Sequence, residues 1–168
     1  MASKHRDAVA LLKQDHRDVK DLFSKYEKAS GDGRKKALAE EICKDLTIHA
    51  MIEEEIFYPA CEGKVEEDLM KEAYVEHDGA KILISQIEAG GPEDEFYDAK
   101  VKVLQEQIEH HIEEEEKRLD GLFSQARKAG LDMDELGREL AARKTELLAE
   151  ADADALPQPV LTTMEPSI

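Results

Sequence analysis

Apolar residues recur every three or four positions over most of this chain, and glycine or proline interrupts the pattern at intervals. The first stripe is Val9, Leu12, Val19, Phe23 and Tyr26. That spacing lines one face of an α-helix and predicts a helix from about Ser3 to Ala29, ended by the turn Gly31-Asp32-Gly33. A second helix is predicted from about Arg34 to Tyr58, with Leu38, Ile42, Leu46, Ile52 and Ile56 inward. Pro59 marks its stop, because the residue before a proline is biased away from helical geometry. A third, from about Glu66 to Glu88, carries Leu69, Met70, Ala73, Ala80, Ile84 and Ile87. Gly90-Gly91-Pro92 is the clearest break, and Glu93, Asp94 and Glu95 then suit the positive end of a new helix dipole. The fourth helix is expected to reach Lys128 with Val101, Leu104, Ile108, Leu119, Leu122 and Phe123 inward, and Gly130 ends it. Asp132-x-x-Glu135 has the form of a capping box and opens a fifth helix to about Glu150, carrying Leu136, Leu140, Leu147 and Leu148.

From Ala151 the chain turns to small residues with Pro157, Pro159 and Pro166, which predicts an extended or disordered tail. No strand-like alternation occurs. The expected fold class is all-α: an up-down-up-down four-helix bundle over residues 1–130, an accessory C-terminal helix over 131–150, and a tail over 151–168.

Composition narrows the function. A formal charge of -17 on 168 residues argues against nucleic acid and anionic membranes as partners, since both demand a basic face. Cys43 and Cys61 show no C-x-x-C spacing and read as reduced, and no apolar run is long enough to span a bilayer. The N-terminus lacks the apolar core of a signal peptide, so the expectation is a cytoplasmic protein, as a monomer or small homo-oligomer.

The candidate chemistry lies on the inner stripes. Each of the four long predicted helices places a histidine there: His16 between Leu12 and Val19, His49 between Leu46 and Ile56, His77 between Ala73 and Ala80, His111 between Ile108 and Leu119. Glu53 and Glu115 follow His49 and His111 by four residues and share their faces. A buried carboxylate needs a compensating cation, and no Lys or Arg stands on these stripes. A metal centre answers that need directly. Counted from the first turn, His16 and His49 lie at roughly 20 and 22 Å, so antiparallel neighbours hold them level. His111 lies about 27 Å from Glu93, and a fourth helix starting nearer Phe96, or a longer overhang, brings it to the depth of His77. A lone histidine on an apolar stripe is usually a hydrogen-bonded core residue; four at matched depth with two glutamates call for another explanation.

His5 is expected to be exposed at the start of the chain. His110 falls to one side of the stripe, so His111 is the preferred ligand, with His110 the alternative. Glu54, Glu55, Glu113, Glu114 and Glu116 read as a solvated face, and Phe57-Tyr58-Pro59 as helix termination and packing without chemistry. On that reading Glu53→Ala should lose the metal and Glu54→Ala should keep it. Glu-x-x-His and H-E-x-x-H are both absent, which removes the ferritin-like di-iron and common zinc-protease patterns. There is no nucleophile elbow for a hydrolase.

The set His16, His49-x3-Glu53, His77, His111-x3-Glu115, with the stretches H-A-M-I-E-E-E-I-F-Y-P and E-H-H-I-E-E-E-E, resembles the hemerythrin-like HHE cation-binding domain over about residues 5 to 128. Leu140-Ala-Ala-Arg-Lys144 looks like an extension common in bacterial members. The resemblance implies a non-haem di-iron centre with an oxo or hydroxo bridge. Glu53 and Glu115 would be its carboxylate bridges, His16 and His49 the ligands of one iron, and His77 and His111 those of the other. Two departures matter. Oxygen carriers of this family have a second histidine one turn before the third-helix ligand, where this chain has Ala73. Their fourth-helix carboxylate is an aspartate five residues after its histidine, whereas Glu115 follows His111 by four. The missing histidine leaves an open position on both metals, which favours sensing of oxygen or nitric oxide, or peroxide turnover, over reversible oxygen carriage. The alternative is an iron or zinc store without redox chemistry.

Overall fold

A computed structural model describes residues 6–165; His5 lies outside them. Asp7 caps the first helix, α1 (Ala8–Lys28), by accepting the Ala10 N–H at 2.8 Å. Gly31, at φ 90°, takes the left-handed turn into α2 (Asp32–Ile52). α2 does not stop at Tyr58. Its last turn widens into a π-helical turn, Glu53–Phe57, and continues as α3 (Tyr58–Cys61). The register shift explains why Pro59 is tolerated: it falls in the first turn of the new segment, where its missing N–H leaves no ladder bond broken. The extra residue in the turn also rotates Phe57 and Tyr58 inward, and both are fully buried.

α4 spans Glu67–Ala89 and α5 spans Tyr97–Glu116. The later start of α5 is the one that levels His111 with His77. The predicted helix to Lys128 is corrected: α5 ends at Glu116, and α6 (Leu122–Lys128) follows after a tight turn. Gly121 permits that turn, since a Cβ there would lie 2.5 Å from the Lys117 carbonyl oxygen. The Ser124 hydroxyl donates to the Arg118 carbonyl at 2.7 Å, and the Lys128 ammonium to the Leu119 carbonyl at 2.9 Å. Leu119, expected inward, is carried out on the turn and is 74% exposed, while Leu122 and Phe123 remain buried.

α7 (Met133–Asp152) opens with the predicted cap, Asp132 accepting from the Glu135 N–H. α1 packs on α2, α2 on α4, α4 on α5 and α5 back on α1, and α7 lies across α1 and α2. The described residues form helices and no strands. Two apolar clusters result, one around Leu12, Phe57, Phe123 and Leu140, the other around Phe23, Ile42, Leu104 and Ile84. The buried histidines fall in the layer between them. After Asp152 the chain is non-helical and docks on the bundle rather than hanging free. The N–H groups of Thr162, Thr163 and Met164 all donate to the Asp78 carboxylate, at 2.6–3.1 Å.

Among the described residues no helix is long and apolar enough to cross a membrane. Cys43 and Cys61 are free and buried, and burial, reinforced by nearby glutamates, pushes each thiol up to about 12.

Candidate metal centre

His16, His49, His77 and His111 come from α1, α2, α4 and α5 and are 3–8% exposed. They form two edge-on pairs, His16 with His49 at 4.9 Å between ring centroids and His77 with His111 at 4.8 Å. Glu53 and Glu115 are as deeply buried and lie across the pairs. Glu53 Oε1 is 2.9 Å from His49 Nε2 and 3.4 Å from His77 Nε2. Glu115 Oε1 is 3.4 Å from His16 Nε2 and 3.1 Å from His111 Nε2. Donor atoms of His16, His49 and Glu115 lie within 4.8 Å of one another, as do those of Glu53, His77 and His111. The six residues singled out by sequence are therefore brought to one place. His110 is not among them; its side chain is 65% exposed beside Glu76.

Short distances here are not hydrogen bonds. His16 Nε2, His49 Nε2, both Glu53 oxygens and Glu115 Oε1 are buried, and none has a hydrogen-bond partner among the described residues. An uncompensated buried carboxylate costs several kcal/mol, roughly 3–5 when a partner charge is removed. Lys81 is a buried cation that the stripes did not announce, but its ammonium goes to Glu54 and Asp78 and not to Glu53 or Glu115. Four imidazole nitrogens and two carboxylates converging on one space are a donor set that first-row divalent metals take.

The outward nitrogens explain the inward ones. Asp15 Oδ2 lies 2.9 Å from His49 Nδ1, Glu54 Oε2 3.0 Å from His77 Nδ1, and Glu76 Oε1 3.0 Å from His111 Nδ1. Glu116 Oε1 faces His16 Nδ1 at 3.7 Å, beyond hydrogen-bond reach, so His16 alone lacks this support. A carboxylate on Nδ1 holds a proton there, so that Nε2 is the nitrogen that can give its lone pair to a cation in the cage. Each of these carboxylates adjoins a cage residue in sequence and faces the next helix round the ring. Successive residues on a helix are turned by about 100°, so the neighbour of an inward residue points sideways across the interface. The expectation that Glu54 and Glu116 belong to a solvated face is thus corrected. Glu55 and Glu113 do face out, Glu55 pairing with Arg143 at 2.8 Å, while Glu114 is half-buried and pairs with Lys117 at 3.0 Å.

These supports are themselves tied to later parts of the chain. The Lys144 ammonium on α7 donates to Asp15. Glu54 Oε1 accepts from Lys81 at 2.9 Å and from the Thr162 hydroxyl at 2.8 Å. At His49, His111 and Glu115 burial opposes ionisation, but the opposite charges win. Glu53 and Asp15 raise His49 to about 10, so before a cation binds its Nε2 also carries a proton, which a metal would displace. His111 is pushed up by Glu115 and Glu76, while His111 and His16 hold Glu115 well below the usual carboxylate range.

The expectation that Tyr58 serves packing alone is corrected by its hydrogen bonds. Its hydroxyl donates to Glu115 Oε2 at 3.0 Å and lies 3.2 and 3.3 Å from Nε2 of His77 and His111. Burial, with Glu115 and Glu53 adding to it, raises the phenol well above its ordinary value, so it stays protonated. The π-turn, invisible to a stripe drawn at helical period, is what turns it inward.

Residues 7–123 match the hemerythrin HHE cation binding domain. The chain belongs to that family. Its fold is that of a hemerythrin HHE cation binding domain-containing protein from Mycobacterium kansasii, with a TM-score of 0.74 at 23% identity over 89% of this chain and 94% of the other. A DNA nickase of Nostoc sp. is 30% identical over 109 residues, which are 65% of this chain and 31% of that protein. This chain therefore spans about a third of the length of that relative. Membership in the HHE family carries metal-cation binding with it, and the His/Glu cluster is where this chain can hold a cation.

Proposed function

We propose that α1, α2, α4 and α5 form an up-down-up-down bundle around a pair of iron ions. In this reading the protein binds or processes a small ligand (oxygen, nitric oxide or peroxide) as a sensor, scavenger or weak enzyme. His16 and His49 would hold one ion, His77 and His111 the other, with Glu53 and Glu115 as bridges. The observation that carries this is the crossing of the carboxylates: each touches one histidine of each pair, through atoms with no hydrogen-bond partner. A bridge must reach both metals, and a terminal ligand need not.

When bound, a di-iron pair supplies redox chemistry and open positions for a small ligand. The chain's own contribution is orientation and a proton. Asp15, Glu54 and Glu76 fix the imidazoles of His49, His77 and His111, and the Tyr58 hydroxyl holds a proton beside His77, His111 and Glu115, within reach of a ligand seated there. A cytoplasmic setting agrees with two free, buried thiols. The nicking activity that names the Nostoc relative is not extended to this chain, whose charge of -17 opposes a phosphate backbone.

The test is metal analysis and near-ultraviolet absorption of protein loaded with ferrous iron without oxygen and then oxidised. Two irons per chain and bands that shift with azide are expected, both lost in His49→Ala. Zinc in equal amount with no azide-sensitive band would favour a store. No metal at all would overturn both readings.

A further inference from the structure

A cavity of about 490 Å³ lies beside the histidine layer, between the bundle and the C-terminal segment. Its inner end reaches the rings of His16, His49, His77 and His111. Leu46, Ala80, Ile84, Ile108 and Leu148 line its body, and Pro157, Pro159 and Val160 form its outer wall. A protein interior is close-packed, and a space of this size forfeits the contacts that filling it would supply. The C-terminal segment lies along its outer side, with the Val160 side chain 79% exposed and not packed into it.

That segment is nonetheless firmly held. Besides the three N–H groups on Asp78, the Thr163 hydroxyl donates to the same carboxylate at 2.7 Å, and the Lys81 ammonium donates to the Val160 carbonyl at 2.8 Å. Ordering such a segment costs backbone entropy at every residue, so the contacts that hold it are maintained against a real opposing term. The result is a walled chamber on the approach to the histidines.

Size and lining decide what fits. Oxygen, nitric oxide or peroxide needs a space comparable to one water, about 30 Å³. The chamber instead falls within the roughly 300–1,000 Å³ of small-molecule sites. Its charged wall residues are matched: Lys144 with Asp15, Lys81 with Glu54, Glu55 with Arg143 behind the wall, Asp45 with Lys44 at 3.8 Å, and Asp18 accepting from the Gln14 amide at 2.8 Å. With a net charge of -17 behind them, they leave no attraction for an anion. We propose that this cavity is a binding site for a neutral, largely apolar organic molecule, held between the bundle and the C-terminal strap with one end at the histidine cluster. Binding in the chamber needs no metal; only what the molecule meets at its inner end rests on the proposed metal centre.

The test is a fluorescence titration of the full-length purified protein with N-phenylnaphthylamine, a neutral apolar probe, with metal content measured on the same samples. Saturable binding of one probe per chain is expected. Ala80→Phe, which fills the chamber, and Leu148→Trp, which narrows it from a position already 36% exposed, should each weaken it about tenfold or more. Leu148→Trp keeps the test decisive if Ala80→Phe does not fold. Absence of saturable binding, equal affinity in wild type and Leu148→Trp, or tighter binding of the anionic anilinonaphthalene sulfonate would each overturn the proposal. A failed metal centre would show separately, as no metal in samples that still bind the probe.

Discussion

Glu54→Ala separates the surface reading of this glutamate from its place in the structure. A solvated residue could be removed without effect. Here the Glu54 carboxylate meets His77 Nδ1 at 3.0 Å, the Lys81 ammonium at 2.9 Å and the Thr162 hydroxyl at 2.8 Å. Loss of the carboxylate behind a ligating imidazole typically lowers metal affinity about 10–100-fold, equivalent to roughly 1.4–2.7 kcal/mol. Hydrogen bonds to charged groups contribute about 1.5–3 kcal/mol each, but Lys81 keeps Asp78 and the Val160 carbonyl, so we expect a fold destabilised by about 2 kcal/mol. The two effects are read apart. Competition with a chromophoric chelator on loaded protein gives the affinity, and urea denaturation of the metal-free variant gives the stability. Glu55→Ala, which removes only the surface partner of Arg143, is the control and should change neither. Glu53→Ala should abolish binding of the pair. If Glu54→Ala held metal as tightly as wild type, the argument that outward carboxylates set the inward lone pairs would be refuted.

Tyr58→Phe should fold and retain metal at a stability cost of about 1 kcal/mol, while slowing peroxide consumption by the loaded protein; an unchanged rate would remove the hydroxyl from the chemistry. Gly137→Ala places a Cβ 2.4 Å from the Arg6 carbonyl oxygen and 2.9 Å from Ala8 N, so α7 must move off α1 at a cost of about 1–3 kcal/mol, and an unchanged urea midpoint would contradict the close approach. Asp7 caps α1 and meets Arg127 at 3.0 Å; burial works against its ionised form, but the Ala10 N–H and Arg127 hold it below its ordinary 3.8. A lowered carboxylate stabilises the fold above 3.8 and loses that contribution as pH falls through its folded value. Asp7→Ala should therefore cost about 1 kcal/mol at pH 7 and progressively less below pH 4, and a cost that stayed constant into acid would show that the charge is not involved.

The stripes alone located the long helices and the inward faces of His16, His49, Glu53, His77, His111 and Glu115, because burial of an apolar face is periodic and periodicity is written in one dimension. They also placed the end of α1, the start of α7 and the break at Gly90-Gly91-Pro92. What periodicity could not carry was any change of phase or any contact between helices. The π-turn at Glu53–Phe57 shifts the register by one residue and turns Tyr58 into the site, and the turn before Gly121 carries Leu119 out to solvent. Asp15, Glu54, Glu76 and Glu116 each stand next to a cage residue, a signal visible in the sequence. That they face the neighbouring helix's histidine and not solvent depends on how far apart the helices pack. The docking of residues 160–164 on Asp78 and Lys81 lies further still from any local pattern, since those hydrogen bonds join positions some eighty residues apart. Local chemistry thus determined the inward face of each long helix, though not the burial of Asp78 and Lys81 or the exposure of Leu119. Only the packing of one helix against the next decided which residues touch, and so which groups hold the histidines in place.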